Sequence, residues 1–128
     1  MRAAEFVIAL DEWYRDEVEG TIQIIAQKLM MEGLSRVVYR SPVDTGRFRG
    51  NWTVSLDGPQ SGTREIEDKN GGATVAAGSA VAQQARAFQT IYMQNNLPYG
   101  PRLEGGWSKQ APGGFLAITF KELEAMVA

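Results

Sequence analysis

The chain has 128 residues, 44% of them apolar and 22% charged, the size and mix of one globular domain with a modest core. A formal charge of −2 supplies no overall basic field to hold nucleic acid, although a ring through which DNA merely slides needs none. Cysteine and histidine are both missing, which excludes disulfides, thiolate zinc sites, cysteine nucleophiles and imidazole as base or ligand. Carboxylates, Lys, Tyr, Ser and Thr remain as candidate catalysts, and no cofactor or metal is expected.

The N-terminal stretch MRAAEFVIALDEW turns acidic at Asp11 and Glu12 too soon for a signal peptide. No segment approaches the ~20 apolar residues of a membrane span, so the expectation is a cytoplasmically made protein with no membrane partner. Residues 4–40 carry a helical pattern: Val18, Ile22, Ile25 and Leu29 form one stripe, extended by Phe6, Trp13, Leu34 and Val37. Gly20 and Gly33 each weaken the run by about 1 kcal/mol relative to Ala, so a bend or break is expected near one of them. Ser41-Pro42 ends it, because the residue before proline is pushed out of the helical region. An unbroken helix here would be about 55 Å long at ~1.5 Å per residue. A small globule cannot cover that length alone, so part of it should pack on another chain.

Residues 41–52, SPVDTGRFRGNW, form a corner. Asp-Thr-Gly is the triplet of aspartic proteases, in which two such loops meet and their carboxylates share a proton. The flanks argue otherwise. A long helix precedes the triplet instead of a strand, Pro42 stands two residues before Asp44, and Arg47 and Arg49 would hold both carboxylates ionised. The structural reading uses more of the residues. Pro42 stops the helix, Asp44 accepts backbone N–H bonds in the turn, and Gly46 supplies a conformation other residues resist. Arg47 and Arg49 share one side of an extended segment, and Trp52 anchors the first strand.

Trp52-Thr53-Val54-Ser55-Leu56 alternates as a half-buried strand. Residues 57–72, rich in Gly and charge with few apolar anchors, read as a long hairpin tip or mobile arm. Residues 73–78 are the expected return strand, and 79–88 one or two helical turns capped by Ser79. Residues 90–93 read as a third strand closed by Asn95-Asn96, and 115–127 as a terminal helix. The sum is a single α+β domain, 1–128: a long N-terminal helix, a small antiparallel sheet with a long hairpin arm, and short helices including a C-terminal one.

Other chemistry-bearing residues have ordinary readings. Glu104 beside Arg102 suggests a surface or inter-subunit ion pair, and Tyr99 and Trp107 suggest core or interface packing. The pieces NGGATVAAG and PGGF lack the Lys-Ser/Thr of a phosphate loop. Arg36, Arg40, Arg47 and Arg49 could line a DNA channel, an alternative ranked behind inter-subunit contacts with carboxylates. Ile22 and Ile25 are the centre of the expected interface stripe.

The motif Ser41, Pro42, Val43, Asp44, Thr45, Gly46, Arg47, Phe48, Arg49 with Trp52 resembles a corner in the tail-completion or neck proteins of lambda-like long-tailed phages. A second element, Asn95, Asn96, Tyr99, Leu103, Glu104, Gly106 and Ser108, is similar to an Asn-, Tyr- and Glu-containing element of that family, and Ala111-Pro112-Gly113-Gly114-Phe115 resembles its lead into the C-terminal helix. Gly100, Gly105 and Trp107 depart from the family pattern. The resemblance implies a non-enzymatic virion protein at the head–tail junction, a hexameric ring with the genome passing through its centre. It further implies head-completion or connector proteins and tail terminator or tube proteins as partners. A tail terminator or other connector ring is the neighbouring alternative, and a dimeric protease using Asp44 the remote one.

Overall fold

Leu34, Val37 and Val38 are fully buried, and their spacing sets one face of a helix against everything that follows. The computed structural model describes the backbone of residues 3–127, and side chains from residue 15 onward. Helix α1 runs Ala3–Arg40 without interruption, so neither Gly20 nor Gly33 breaks it. Phe6 and Trp13, placed on the stripe by sequence, have side chains outside the described residues. The chain continues through a single helical turn α2 (Arg47–Gly50), strand β1 (Trp52–Leu56), helix α3 (Gly72–Ala82), strand β2 (Ile91–Asn95), the short helix α4 (Gly100–Glu104) and helix α5 (Leu116–Val127). This is the expected α+β architecture: a long N-terminal helix, a small antiparallel sheet and short helices including the C-terminal one.

The sheet has two strands, not three. β1 pairs antiparallel with β2, from Trp52 opposite Asn95 to Leu56 opposite Ile91. The expected return strand at 73–78 lies inside α3, and Ser79 sits within that helix rather than capping one. The cause is a tertiary contact. Gly78 faces α1 and β1 so closely that a Cβ there would stand 2.3 Å from Leu34 Cδ2 and 3.2 Å from Val54 Cγ2. A run of small residues lets α3 wedge between α1 and the sheet, burying Thr74, Gly78 and Ala82.

Residues 57–71 therefore lead from β1 into α3 and are not a hairpin arm. Polar bonds hold them where apolar anchors are scarce. Asn51 Nδ2 donates to the Arg64 carbonyl (3.1 Å) while its Oδ1 accepts the Arg64 N–H (2.8 Å). Asn96 Nδ2 donates to the carbonyls of Gln60 and Gly62, both at 3.0 Å. Phe48, Trp52, Val54, Leu97 and Phe115 complete the core with the buried face of α1.

Candidate functional site

The two sequence motifs meet. Gln110 grips the corner through its backbone, donating from Nε2 to the Val43 carbonyl (2.7 Å) and accepting the Val43 N–H at Oε1 (2.8 Å). Phe48 of α2 touches aromatic rings from both stretches, with centroids 6.0 Å from Trp52, 5.8 Å from Tyr99 and 5.4 Å from Phe115. Between the motifs lies a cleft of about 430 Å³, bordered by Asp44, Thr45, Arg47, Tyr99, Trp107 and Gln110.

Local chemistry explains the corner. Ser41 Oγ donates to the Val37 carbonyl (2.5 Å) and accepts the Trp52 indole N–H (2.8 Å), so the helix end and the strand start share one buried hydroxyl. Gly46 has φ of 92°, and a Cβ there would meet the Lys69 amide nitrogen at 2.6 Å. Its carbonyl accepts the N–H groups of Gly50 (2.9 Å) and Asp68 (3.0 Å), tying the corner to the segment before α3. Glycine is required here for both conformation and space.

The role given to Asp44 belongs elsewhere. Asp44 is exposed and makes no hydrogen bond among the described residues, and the Thr45 hydroxyl accepts the Arg47 N–H instead, at 3.2 Å. The buried cap is Asp68. Its carboxylate accepts the Gly71 N–H (3.2 Å), the Thr74 N–H (2.9 Å) and the Thr74 hydroxyl (2.7 Å) at the start of α3. The Thr74 hydroxyl bond leads, with the backbone N–H bonds and nearby Arg49 behind it, in holding Asp68 below the ordinary carboxylate range against the cost of burial. Asp68 was missed because the turn signal at Asp44 is louder, yet only one helical turn follows Asp44, whereas α3 has a buried N-terminus.

The arginines divide. Because α2 is helical, Arg47 and Arg49 point about 200° apart rather than sharing a side. Arg49 satisfies carbonyls at the α1 end, donating to Tyr39 and Ser41 (both 3.0 Å) and also to Lys69 (2.8 Å). Arg47 reaches Glu65 at 3.5 Å, and Glu65 is almost fully exposed. Arg36 and Arg40 both pair with Glu122 of α5, Arg40 at 2.5 Å, and Arg40 also donates to Thr119 (3.0 Å). All four guanidiniums proposed for a channel or interface thus have partners within the chain, Arg47 by the longest and most exposed contact.

In the second motif, Glu104 does not pair with Arg102, whose guanidinium lies 5.1 Å over the Trp107 ring instead. Glu104 accepts the N–H groups of Phe115 (2.6 Å), Leu116 (2.9 Å) and Ala117 (2.9 Å), capping α5. Burial opposes its ionisation, but those three N–H groups outweigh burial and hold the carboxyl below its ordinary value. Asn95 Nδ2 donates to the Phe48 carbonyl (2.8 Å), Ser108 Oγ accepts the Gln110 N–H (3.2 Å), and Gly106 packs against the Pro112 carbonyl. Among the described residues no group of carboxylates could hold a metal ion, and no helix is long and apolar enough to cross a membrane. No family model, curated protein or solved structure matches the chain. The functional reading rests on the site's geometry and on the motif resemblance.

Proposed function

We propose that this chain is a structural, non-enzymatic ring subunit at the head–tail junction of a long-tailed phage. It would complete the tail and join it to the head, contacting head-completion and tail proteins while the genome passes through the ring. The observation that carries the assembly part is the lightly covered stretch of α1 from Arg15 to Glu32. No residue from Arg15 to Glu32 is buried, and Ile24 and Ile25 are 52% and 46% exposed. From Gln27, which donates to the Ala85 carbonyl at 2.8 Å, the helix continues back to Arg15 for about 18 Å at ~1.5 Å per residue, beside the turn at residues 83–87 on one side. A long helix half carrying isoleucines to solvent is the kind of surface that a neighbouring subunit covers. The motif corner supports the same reading, since its residues build a rigid junction rather than a facing pair of carboxylates.

Ile25→Asp tests it. The side chain is half-exposed, so the fold should survive with a helix cost under about 1 kcal/mol. Ring closure or docking in particle reconstitution should fail. A variant with unchanged circular dichroism that still joins heads to tails would defeat the proposal.

A further inference from the structure

Phe88 stands in the turn between α3 and β2 with 74% of its surface exposed, and its backbone is left-handed, φ 64°. A bulky side chain at positive φ is an outlier that persists only when its surroundings impose it. The surroundings here do so. Gln27 donates to the carbonyls of Gln83 (3.1 Å) and Ala85 (2.8 Å), and Gln89 Oε1 accepts the Arg86 N–H (2.9 Å). Gln89 Nε2 donates to Asp57 (2.8 Å), and the Asp57 N–H closes onto the Thr90 carbonyl (3.0 Å). A strained turn is therefore held rigid, and what it presents is a phenyl ring with no ring partner among the described residues.

At the other end of the sheet, beyond the Trp52–Asn95 pair, a cavity of about 360 Å³ opens onto the aromatic core. Phe48, Trp52, Met93, Pro101, Phe115 and Leu116 line it. We propose that Phe88 of one copy inserts into this cavity of a second copy. The proposal deepens the ring reading and rests on its premise of head-to-tail self-association. Charge favours a second copy as the occupant. The turn carrying the ring lies beside Asp16 and Glu19 of α1, two carboxylates against the turn's own Arg86. Arg102 neighbours Pro101 at the cavity, and the carboxylate lining it, Glu104, is engaged internally by the N–H groups that open α5. Knob and cavity are different patches toward opposite ends of the sheet, and a contact that pairs them without reciprocation is heterologous and propagates into a ring or filament. A rigid, pre-positioned aromatic anchor loses little freedom on docking.

The test uses the full chain. Wild-type protein should self-associate in sedimentation velocity, and Phe88→Ala should weaken association roughly 30-fold or more with unchanged circular dichroism. Phe88→Gly should weaken association equally while leaving Tm equal or higher, because glycine relaxes the positive φ; a merely structural phenylalanine would lower Tm instead. Gly100→Leu, whose Cβ would approach only Phe48 at 3.5 Å or more, should occupy the cavity and weaken association too. Benzoylphenylalanine at position 88 should crosslink to residues 93–95 or 115–116 of another copy. Association undiminished by Phe88→Ala, or crosslinks that avoid the cavity, would overturn the knob while leaving the α1-based ring reading standing. A wild type that stays monomeric to about 1 mM overturns the knob outright; absence from the head–tail junction in immunogold images would remove the ring reading with it.

Discussion

Asp68→Ala would expose how much of this fold hangs on one carboxylate. The substitution removes the acceptor of three bonds, from the Gly71 N–H, the Thr74 N–H and the Thr74 hydroxyl, at residues that are all buried. Each buried donor left without a partner costs about 1–3 kcal/mol, and water entering the vacated space recovers part of that. A net loss of about 3 kcal/mol follows, near the upper end for a lost helix cap because the site is enclosed. For a chain of this size that lowers Tm by about 10 °C. Scanning calorimetry at pH 7 measures it, and a Thr74→Val cycle should reveal coupling between the two side chains of about 1 kcal/mol. The effect has a pH signature. Asp68 is held below its ordinary value near 3.8, so its stabilisation is fully present above that value and is lost as pH falls through the lower folded-state value. The gap between wild type and variant should be constant from pH 5 to 7 and narrow below pH 4. A Tm drop under about 3 °C, or a gap that widens in acid, would refute the assignment of Asp68 as the cap of α3.

Gly46→Val should cost about 3 kcal/mol or more, from positive φ and the 2.6 Å approach to Lys69, whereas Asp44→Ala should stay within about 0.5 kcal/mol. Equal Tm values for the two variants would contradict the corner as described. Glu104→Gln should cost about 1 kcal/mol and speed amide exchange at Leu116 and Ala117, because one carboxylate serves three N–H groups there. Unchanged exchange in α5 would count against that cap. Amides of Arg64 and Asp68, bonded to Asn51 and Gly46, should exchange more slowly than the exposed residues around them, and uniform fast exchange through 57–71 would restore the free-arm reading.

What the sequence made legible was local. The α1 stripe, the stop at Ser41-Pro42, the alternation of β1 and the terminal helix each follow from neighbours within a few residues. Gly46 was readable because Thr-Gly-Arg after proline calls for a left-handed residue. Residues 73–78 were not, because a short run of Ala, Thr and Val has no decisive period, and only the closeness of Gly78 to Leu34 and Val54 decides for helix. The segment 57–71 misled for a related reason. Counting apolar anchors misses Asn51 and Asn96, which fasten it through carbonyls and one amide. The candidate site shows the same division. The residues of both motifs were identifiable, but not their assignments: Glu104 serves α5 rather than Arg102, and Arg36 and Arg40 serve Glu122.

That redistribution bears on where function can reside. Most of the corner is occupied by its own chain: Ser41 with Trp52, Gly46 with Asp68, Arg49 with three carbonyls, Val43 with Gln110. Groups so engaged hold shape, and a change in any of them is felt first as lost stability. Exposed apolar side chains lie beside the corner, as Trp107 and Tyr99 do, and away from it: Ile24 and Ile25 on the long helix, Phe88 on its strained turn, and Ile118 and Phe120 on α5. Single exposed apolar residues are ordinary on a protein surface, and these do not all call for a partner. Phe88 differs, because the hydrogen bonds of its turn impose an unfavourable backbone while its ring is left in solvent. The proposed contact between copies would put that ring to use. The separation between a motif that builds the frame and an anchor that meets the neighbour is what the Phe88→Gly and Gly46→Val variants pull apart: the first should lose association and keep its fold, the second should lose the fold itself.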